Sequence, residues 1–163
     1  MSIGDHMATT TNAVRLVRQA GIPCREEFYE FDENDLNGNH AAHAIGKPSE
    51  EVFKTLVARG ERTGINVFCI PVCCELNLKK AARAAGDKNM EMVAVKELLG
   101  LTGYIRGGCS PVGMKNKYPI YFDETCQLYE EIAVSAGQRG HQMLVPPMDL
   151  AQYLGAKLVD ITD

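Results

Sequence analysis

The sequence lacks any run of about 18 consecutive apolar residues, the length that a membrane-spanning helix needs. Of its 163 residues, 45% are hydrophobic and 23% charged, which is ordinary for a globular domain. It also lacks an excess of positive charge, with a net charge of −4 and a pI of 5.6. Binding along an extended nucleic acid needs clustered Lys and Arg, so this composition argues against it. It is still compatible with a small basic site that binds the end of one nucleic acid. We expect no membrane segment.

Several familiar catalytic and metal-binding motifs are also absent. There is no Walker A loop, dinucleotide fingerprint, G-x-S-x-G elbow or H-E-x-x-H pair. The six cysteines include no C-x-x-C motif, and "CIPVCC" at 69–74 lacks the second pair typical of a structural zinc site. We therefore expect neither a metal nor a cofactor, and cysteines that mostly serve as small core residues. Cys109 is the exception, since it lies within a glycine-rich loop.

The chain is expected to form one domain. The first seven residues, "MSIGDHM", lack the apolar stretch of a signal peptide and look like a cloning scar before a start near residue 7 or 8. Residues 8–163 have the length of a single domain, with no linker, repeat or low-complexity tract. Without an export signal, we expect a cytoplasmic protein whose cysteines are reduced.

Hydrophobic periodicity predicts seven or eight strands and four or five helices. The clearest helix is 77–86, which Asn77 can cap and Gly86 can end. Strands at 52–58 and 65–72 are predicted to form a hairpin, and 102–113 a strand that runs into a glycine-rich loop. The elements do not alternate strictly, which favours an α+β fold with a mixed, barrel-like sheet surrounded by helices.

A lysine interrupts one of the most apolar strands, "VFKTLVA" at 52–58. Alternation places Lys54 with Leu56 on one face and Phe53 with Thr55 on the other, and either face could be buried. Lys54 then either points into an apolar cavity, where it could hold a phosphate or carboxylate, or extends to water from an edge strand. The pattern alone leaves both interpretations open.

Two glycine-rich stretches follow, "GGCSPVG" at 107–113 and "SAGQRG" at 135–140. Backbone N–H groups in such loops can hold an oxyanion or a carbonyl oxygen, although a tight corner explains the glycines equally well. Ser135 has no nucleophile elbow around it and no paired histidine, so we expect a hydrogen-bond donor to a ligand or a capped turn. Lys115, Lys117 and Arg139 flank the two loops.

Taken in order, "VFKTLV", "GGCSPVG" and "VSAGQRG" resemble the YbaK/ProX-type aminoacyl-tRNA deacylases, whose domain also occurs inserted in some bacterial prolyl-tRNA synthetases. The resemblance extends from about residue 10 to residue 162 and includes the helix "LNLKKAARAAG" and the segment "TGYIRGG". It implies a mixed α+β domain around a barrel-like sheet and an editing activity that releases a wrong amino acid from a tRNA. The implied partners are the aminoacylated 3′ end of a tRNA and a prolyl-tRNA synthetase.

The resemblance also implies roles for individual residues. Lys54 matches the family's key lysine and would position the terminal adenosine and its phosphate, while the backbone of Gly107 and Gly108 would contact the aminoacyl carbonyl. Ser135 and Tyr29 would orient the ligand. Further ligand contacts are expected from Glu30, Ser110, Pro111, Gly137, Arg139 and Gly140. Gln142 departs from the pattern, because some Cys-specific members carry an acid there.

The expected chemistry needs no protein nucleophile, because an aminoacyl ester is already activated and mainly has to be positioned. The resemblance implies trans-editing of Cys-tRNA(Pro), in which the substrate thiol closes onto its own carbonyl. Water attack on Ala-tRNA(Pro) and a non-catalytic aminoacyl- or nucleotide-binding module are the alternatives. A thiol-redox protein that uses Cys73–Cys74 or Cys109 is a weaker third interpretation, since no C-x-x-C motif is present.

Overall fold

The computed structural model describes residues 10–163, so the expected cloning scar at residues 1–7 lies outside the described residues. Within this part of the chain, five α-helices of eight residues each are present. They are α1 (Asn12–Gln19), α2 (Gly38–Ile45), α3 (Leu78–Ala85), α4 (Val95–Thr102) and α5 (Pro147–Leu154). Two short 3₁₀-helices cover Ser49–Glu51 and Glu124–Leu128. None of the described helices is long and apolar enough to cross a membrane.

The described strands form two sheets. The strands are β1 (Arg25–Phe28), β2 (Phe53–Gly60), β3 (Gly64–Pro71), β4 (Met90–Met92), β5 (Ile120–Asp123), β6 (Ile132–Gln138), β7 (His141–Val145) and β8 (Lys157–Val159). One sheet has the order β1-β7-β6 and is antiparallel, and the other has the order β4-β2-β3-β5-β8 with both parallel and antiparallel pairs. The prediction of a mixed α+β fold is therefore confirmed. No closed barrel forms among these strands, and a single bridge between Val52 and Ala133 joins the two sheets.

Local sequence signals account for most of these elements. The β2–β3 hairpin closes where Gly60 pairs with Gly64, as the turn residues predict. Helix α3 begins where the side chain of Asn77 accepts the Lys80 N–H at 3.0 Å, and it ends at Gly86, whose φ of 71° is left-handed. The predicted hairpin and helix are both present.

The strand predicted for 102–113 is wrong. Helix α4 runs through Thr102, Gly103 ends it with a φ of 84°, and the chain has no regular structure until β5. Gly107 and Gly113 also have positive φ, which an extended strand does not use. The Tyr104 hydroxyl donates a hydrogen bond to the Val112 carbonyl and so ties the two sides of this loop together.

One edge of β2 is only partly paired, since Val52 bridges Ala133 just before the strand and β4 pairs at its far end, and the gap between them positions the site. On that side β4 pairs only with Ala58, Arg59 and Gly60, at the far end of β2. The first half of β2, which carries Lys54 and Thr55, has β3 on its other side. At its two ends the strand is anchored in separate apolar clusters, with Phe53 in one and Ala58 in another. Side chains from both faces of β2 can therefore reach the same space along its partly paired edge.

Candidate functional site

A cavity of 430 Å³ lies along the partly paired edge of β2. Its walls come from the segment after β1, the start of α2, the first half of β2, the start of α4, the glycine loop at 106–109 and the β6–β7 turn. Six of the predicted site residues line it, namely Tyr29, Lys54, Gly107, Ser135, Arg139 and Gly140. The structure thus brings together segments that are more than 100 residues apart in the sequence.

The other predicted site residues lie outside the lining, which does not include Glu30, Gly108, Ser110, Pro111 or Gly137. Ser110 is fully buried, and its Oγ accepts the Val112 N–H at 3.2 Å. Gly137 has a φ of 106°, and a Cβ there would lie 3.1 Å from the Tyr104 ring. These residues shape the loops behind the cavity wall, so a role in the site would be indirect.

Lys54 is half-buried in the cavity wall. No carboxylate of the described residues forms an ion pair with its ammonium group. Burial raises the pKa of the Cys74 thiol, and the charge of Lys54 opposes this rise only weakly. A cation held in a cavity without a protein counter-ion is suited to bind an anionic ligand group. Arg106 and Arg139 add two further cations to the lining, while Asp35 and Glu75 add carboxylates.

The two glycine loops pack directly against each other. A Cβ on Gly108 would lie 3.0 Å from the backbone of Gln138 and Arg139, so only glycine permits this contact without a shift. The Gly108 N–H already donates to the Ile105 carbonyl at 3.0 Å. Of the two glycines predicted to contact a carbonyl, Gly107 lines the cavity, whereas Gly108 lies outside the lining and closes a tight corner.

Tyr29 and the β6–β7 turn are fastened to each other. The Tyr29 N–H donates to the Gly140 carbonyl at 2.9 Å, and a Cβ on Gly140 would lie 2.6 Å from the Tyr29 carbonyl oxygen. Arg139 is held from the other side, where its Nε donates to the Arg106 carbonyl at 2.9 Å. The turn is thus fixed to both neighbouring segments of the cavity wall.

Ser135 and Gln142 face each other as cross-strand partners in β6 and β7. The Ser135 Oγ accepts the Gly137 N–H at 3.2 Å, so its hydroxyl can still donate to a ligand. Gln142 is 6% exposed and lines the cavity, and its Oε1 is buried with no hydrogen-bond partner among the described residues. Buried acceptors are normally satisfied, so this oxygen is a candidate ligand contact.

Sequence reasoning noted Gln142 only as the replacement for an acid, and it gave no sign of the unpartnered oxygen. It also missed Phe31 and Asn37, which line the cavity although no motif marks them, and it gave no role to Thr55, which lies within "VFKTLV" and also lines the cavity. Cys109 was singled out by its loop and does line the cavity. Burial raises its pKa to about 12, so near neutral pH it is a protonated thiol and a poor nucleophile.

A buried histidine supports the turn from behind. His141 is fully buried, with Nε2 2.8 Å from Glu26 Oε1 and Nδ1 2.9 Å from Gln138 Nε2. The contacting atom of Gln138 is its amide nitrogen, which can only donate, so Nδ1 accepts and Nε2–H donates to the carboxylate, which describes a neutral imidazole. Burial lowers the pKa of His141 and favours this neutral form. No metal cluster of three or more His, Cys, Asp or Glu side chains occurs in residues 10–163.

Comparison with known proteins agrees with this geometry. The sequence matches the aminoacyl-tRNA editing domain family over residues 39–153, which include β2, both glycine loops and Gln142. It is 43% identical over 152 residues to a protein of Enterococcus faecalis provisionally named Cys-tRNA(Pro)/Cys-tRNA(Cys) deacylase EbsC, and the match covers 93% of each chain. It is also 24% identical over 129 residues to the uncharacterized protein YwhH of Bacillus subtilis, covering 79% of this chain and 82% of that one.

Solved structures give the same result. A crystal structure described as a provisional trans-editing enzyme for prolyl-tRNA synthetase superposes with a TM-score of 0.79 at 25% identity, covering 100% of this chain and 99% of the other. The hypothetical protein APE2540 has a TM-score of 0.82 at 21% identity, covering 91% and 97%, and shows the fold alone. The family predicted from the ordered motifs is therefore confirmed, and the chain belongs to the aminoacyl-tRNA editing domain family.

Proposed function

We propose that this protein is a trans-editing deacylase that removes a small, wrongly attached amino acid from tRNA, above all cysteine from Cys-tRNA(Pro). The observation that carries the proposal is a single cavity that gathers Lys54, Gly107 and Ser135. The relative from Enterococcus faecalis, whose provisional name specifies Cys-tRNA(Pro) and Cys-tRNA(Cys), supports the choice of cysteine. The proposed partners are the 3′ end of the tRNA and prolyl-tRNA synthetase, and the proposed compartment is the cytoplasm.

Each cavity residue has a distinct proposed task. The Lys54 ammonium, which has no carboxylate partner among the described residues, binds the phosphate of the terminal adenosine. The Gly107 N–H donates to the aminoacyl carbonyl, where negative charge develops during reaction. Ser135 and Tyr29 orient the ligand, and the unpartnered Oε1 of Gln142 accepts a hydrogen bond from the α-ammonium of the amino acid.

The proposed reaction uses the substrate's own thiol. The cysteine sulfur forms a bond to the carbonyl carbon, the ester C–O bond breaks, and the proton passes to the terminal ribose oxygen. The products are a cyclic thiolactone and free tRNA. The protein contributes position and carbonyl stabilisation, which together can account for a large part of such a barrier. The cavity thiol of Cys109, with a pKa raised to about 12, is not suited to replace the substrate thiol as nucleophile.

A broader substrate range is supported by the size of the cavity. At 430 Å³ it is far larger than one small side chain, and a difference of one methylene changes binding by only about 1–3 kcal/mol. Ala-tRNA(Pro) is therefore the second candidate substrate, and water would attack its carbonyl. A non-catalytic aminoacyl- or nucleotide-binding module would use the same residues but show no turnover.

The test is deacylation by purified protein of Cys-tRNA(Pro), Ala-tRNA(Pro) and Pro-tRNA(Pro). We expect release from the first, slower release from the second and none from the third. A Cys-tRNA(Pro) whose thiol has been methylated should resist cleavage, because its sulfur can no longer close the ring. Equal cleavage of the methylated substrate would contradict cyclisation in favour of water attack, and the absence of turnover on all substrates would leave the binding module.

The role of Lys54 is tested by Lys54→Ala against the matched control Lys79→Ala. Lys79 is exposed on α3 and lies outside the cavity lining, so its loss should leave activity unchanged. Loss of a charge-assisted hydrogen bond costs about 1.5–3 kcal/mol, which corresponds to a fall of about 10- to 150-fold in kcat/KM for Lys54→Ala. Undiminished activity of Lys54→Ala would remove this lysine from the site.

A further inference from the structure

The function proposed above leaves the adjacent cysteines 73 and 74 unused. They lie in the turn after β3, with their Sγ atoms 3.8 Å apart. All six cysteines of the chain are free thiols, but only Cys73 is exposed, and its neighbour Cys74 is half-buried. An exposed thiol in contact with a second thiol is the arrangement from which an intramolecular disulfide forms.

This turn is part of the cavity wall. Val72 and Glu75, the residues on either side of the pair, both line the cavity. Lys54, the proposed phosphate-binding lysine, lines the same cavity as these two residues. A chemical change at the two sulfurs therefore occurs next to the site rather than at a remote surface.

The turn has little freedom to move without disturbing its neighbours. The Val72 N–H donates to the Val52 carbonyl at 2.8 Å, and the Cys74 N–H donates to the Pro71 carbonyl at 3.0 Å. Val72 also packs tightly on the first residue of α2, because a Cβ added to Gly38 would lie 2.4 Å from its Cγ1. A displacement of the turn must then be passed on to Val52 and to the start of α2, both of which line the cavity.

We propose that Cys73 and Cys74 form a modification site, a dithiol that low-molecular-weight disulfides oxidise to a Cys73–Cys74 disulfide that reshapes the cavity wall and lowers deacylase activity. The Cys73 thiolate attacks the small disulfide RSSR, forming a mixed disulfide and releasing RSH once the leaving thiolate takes up a proton. Cys74 then attacks the Cys73 sulfur and expels the second RSH. Overall, the two protein thiols lose two electrons and two protons, and RSSR is reduced to two RSH.

Geometry and exposure set the order and the consequence of these steps. Cys73 reacts first because it is the exposed member of the pair. Burial and the hydrogen bond to Cys73 raise the pKa of Cys74 to about 11, so the Cys74 thiolate that closes the ring becomes more abundant as the pH rises. Disulfides usually join Cα atoms about 4.4–6.8 Å apart, whereas adjacent residues are only about 3.8 Å apart across a trans peptide. Closing the observed 3.8 Å between the sulfurs to about 2.05 Å must therefore distort a turn that is held on both sides. In a reducing compartment the pair remains as two thiols.

The consequence for activity rests on the proposed function, and it has a chemical rationale. The conditions that would oxidise Cys73 and Cys74 also convert free cysteine to cystine. Oxidation of the dithiol would therefore lower the editing activity under the same conditions that deplete free cysteine, the amino acid that the enzyme removes.

The experiment treats the full-length protein with oxidised glutathione, removes the reagent by desalting, and measures intact mass and deacylation of Cys-tRNA(Pro). We expect a mass loss of two hydrogens without a glutathione adduct, a peptide map that assigns this loss to the single peptide containing Cys73 and Cys74, and a fall of about tenfold or more in kcat/KM. Dithiothreitol should restore both mass and activity. Cys73→Ser and Cys74→Ser should be active and should not lose two hydrogens, whereas the control Cys24→Ser should behave like the wild type.

Three results would overturn the inference: an unchanged mass, a glutathione adduct that never closes even at raised pH, or a disulfide that joins other cysteines. Equal activity of the oxidised and reduced protein would contradict the proposed effect of the disulfide on the cavity and on deacylation, although the disulfide itself would still form. Reduced protein that is inactive on every aminoacyl-tRNA would instead contradict the proposed function, and the mass and peptide map would still decide whether the dithiol closes.

Discussion

Gln142 is the residue at which stability and activity should respond in opposite directions. Gln142 lines the cavity and is 6% exposed, and its Oε1 is buried with no hydrogen-bond partner among the described residues. A buried acceptor without a partner costs about 1–3 kcal/mol of folding free energy. The proposed compensation is a hydrogen bond from the ammonium group of the bound amino acid, which exists only when substrate is present.

The informative change is Gln142→Met, because methionine keeps the unbranched shape and removes the polar atoms. Without the unsatisfied oxygen, the free energy of unfolding should rise, and each kcal/mol gained raises Tm by about 2–4 °C in a chain of this length. Loss of a hydrogen bond to a charged group should lower kcat/KM by about 10- to 150-fold, the equivalent of about 1.5–3 kcal/mol. Gln142→Glu should keep the activity, since a carboxylate also accepts from an ammonium group.

Thermal unfolding and single-turnover deacylation of Cys-tRNA(Pro) measure the two responses. The matched control is Gln152→Met on α5, where the side chain is exposed and should change neither quantity. A Gln142→Met protein that is stabilised but fully active would show that the oxygen has no substrate partner. A variant that loses both stability and activity would show that Gln142 is satisfied in the folded protein and acts only through packing.

Two further predictions concern the support of the cavity wall. Gly108→Ala places a Cβ 3.0 Å from the backbone of the β6–β7 turn, so urea unfolding should show a destabilisation of about 1–3 kcal/mol. The control Gly100→Ala, in open space on α4, should be neutral or stabilising. Equal stability of the two variants would contradict the close packing of the loops. Because burial lowers the pKa of His141 from 6.5, the unfolded chain binds its proton more readily, and the stability that depends on a neutral His141 is complete above that pH and is lost as the pH falls below it. The free energy of unfolding should therefore drop between about pH 7.5 and about pH 5.5 in the wild type but less in His141→Gln, and the same drop in both would exclude His141 as the cause.

The elements that were predicted correctly are those whose determinants lie within a few residues of one another in the sequence. Asn77 and Gly86 mark the ends of α3 through their own side chain and backbone, and the hairpin between β2 and β3 needs only its turn. Residues 102–113 were predicted as a strand that runs into a glycine-rich loop, and only the strand was wrong: the apolar residues suggest one, but the glycines adopt positive φ and the segment has no regular structure beyond the end of α4. Gly108 owes its place to Gln138 and Arg139, 30 residues later, and no local pattern contains that information.

The site shows the same division between local and distant causes. Lys54, Gly107 and Ser135 were identified through motifs taken in order, and the cavity brings them together. The alternation of side chains in "VFKTLVA" could not decide where Lys54 points, because that reasoning assumes a strand with two separate faces. At the partly paired edge of β2 the assumption fails, and Lys54 and Thr55, from opposite faces, line one cavity. Lys54 therefore lies in the stretch of this edge that has no strand partner, between the bridge of Val52 to Ala133 and the short strand β4.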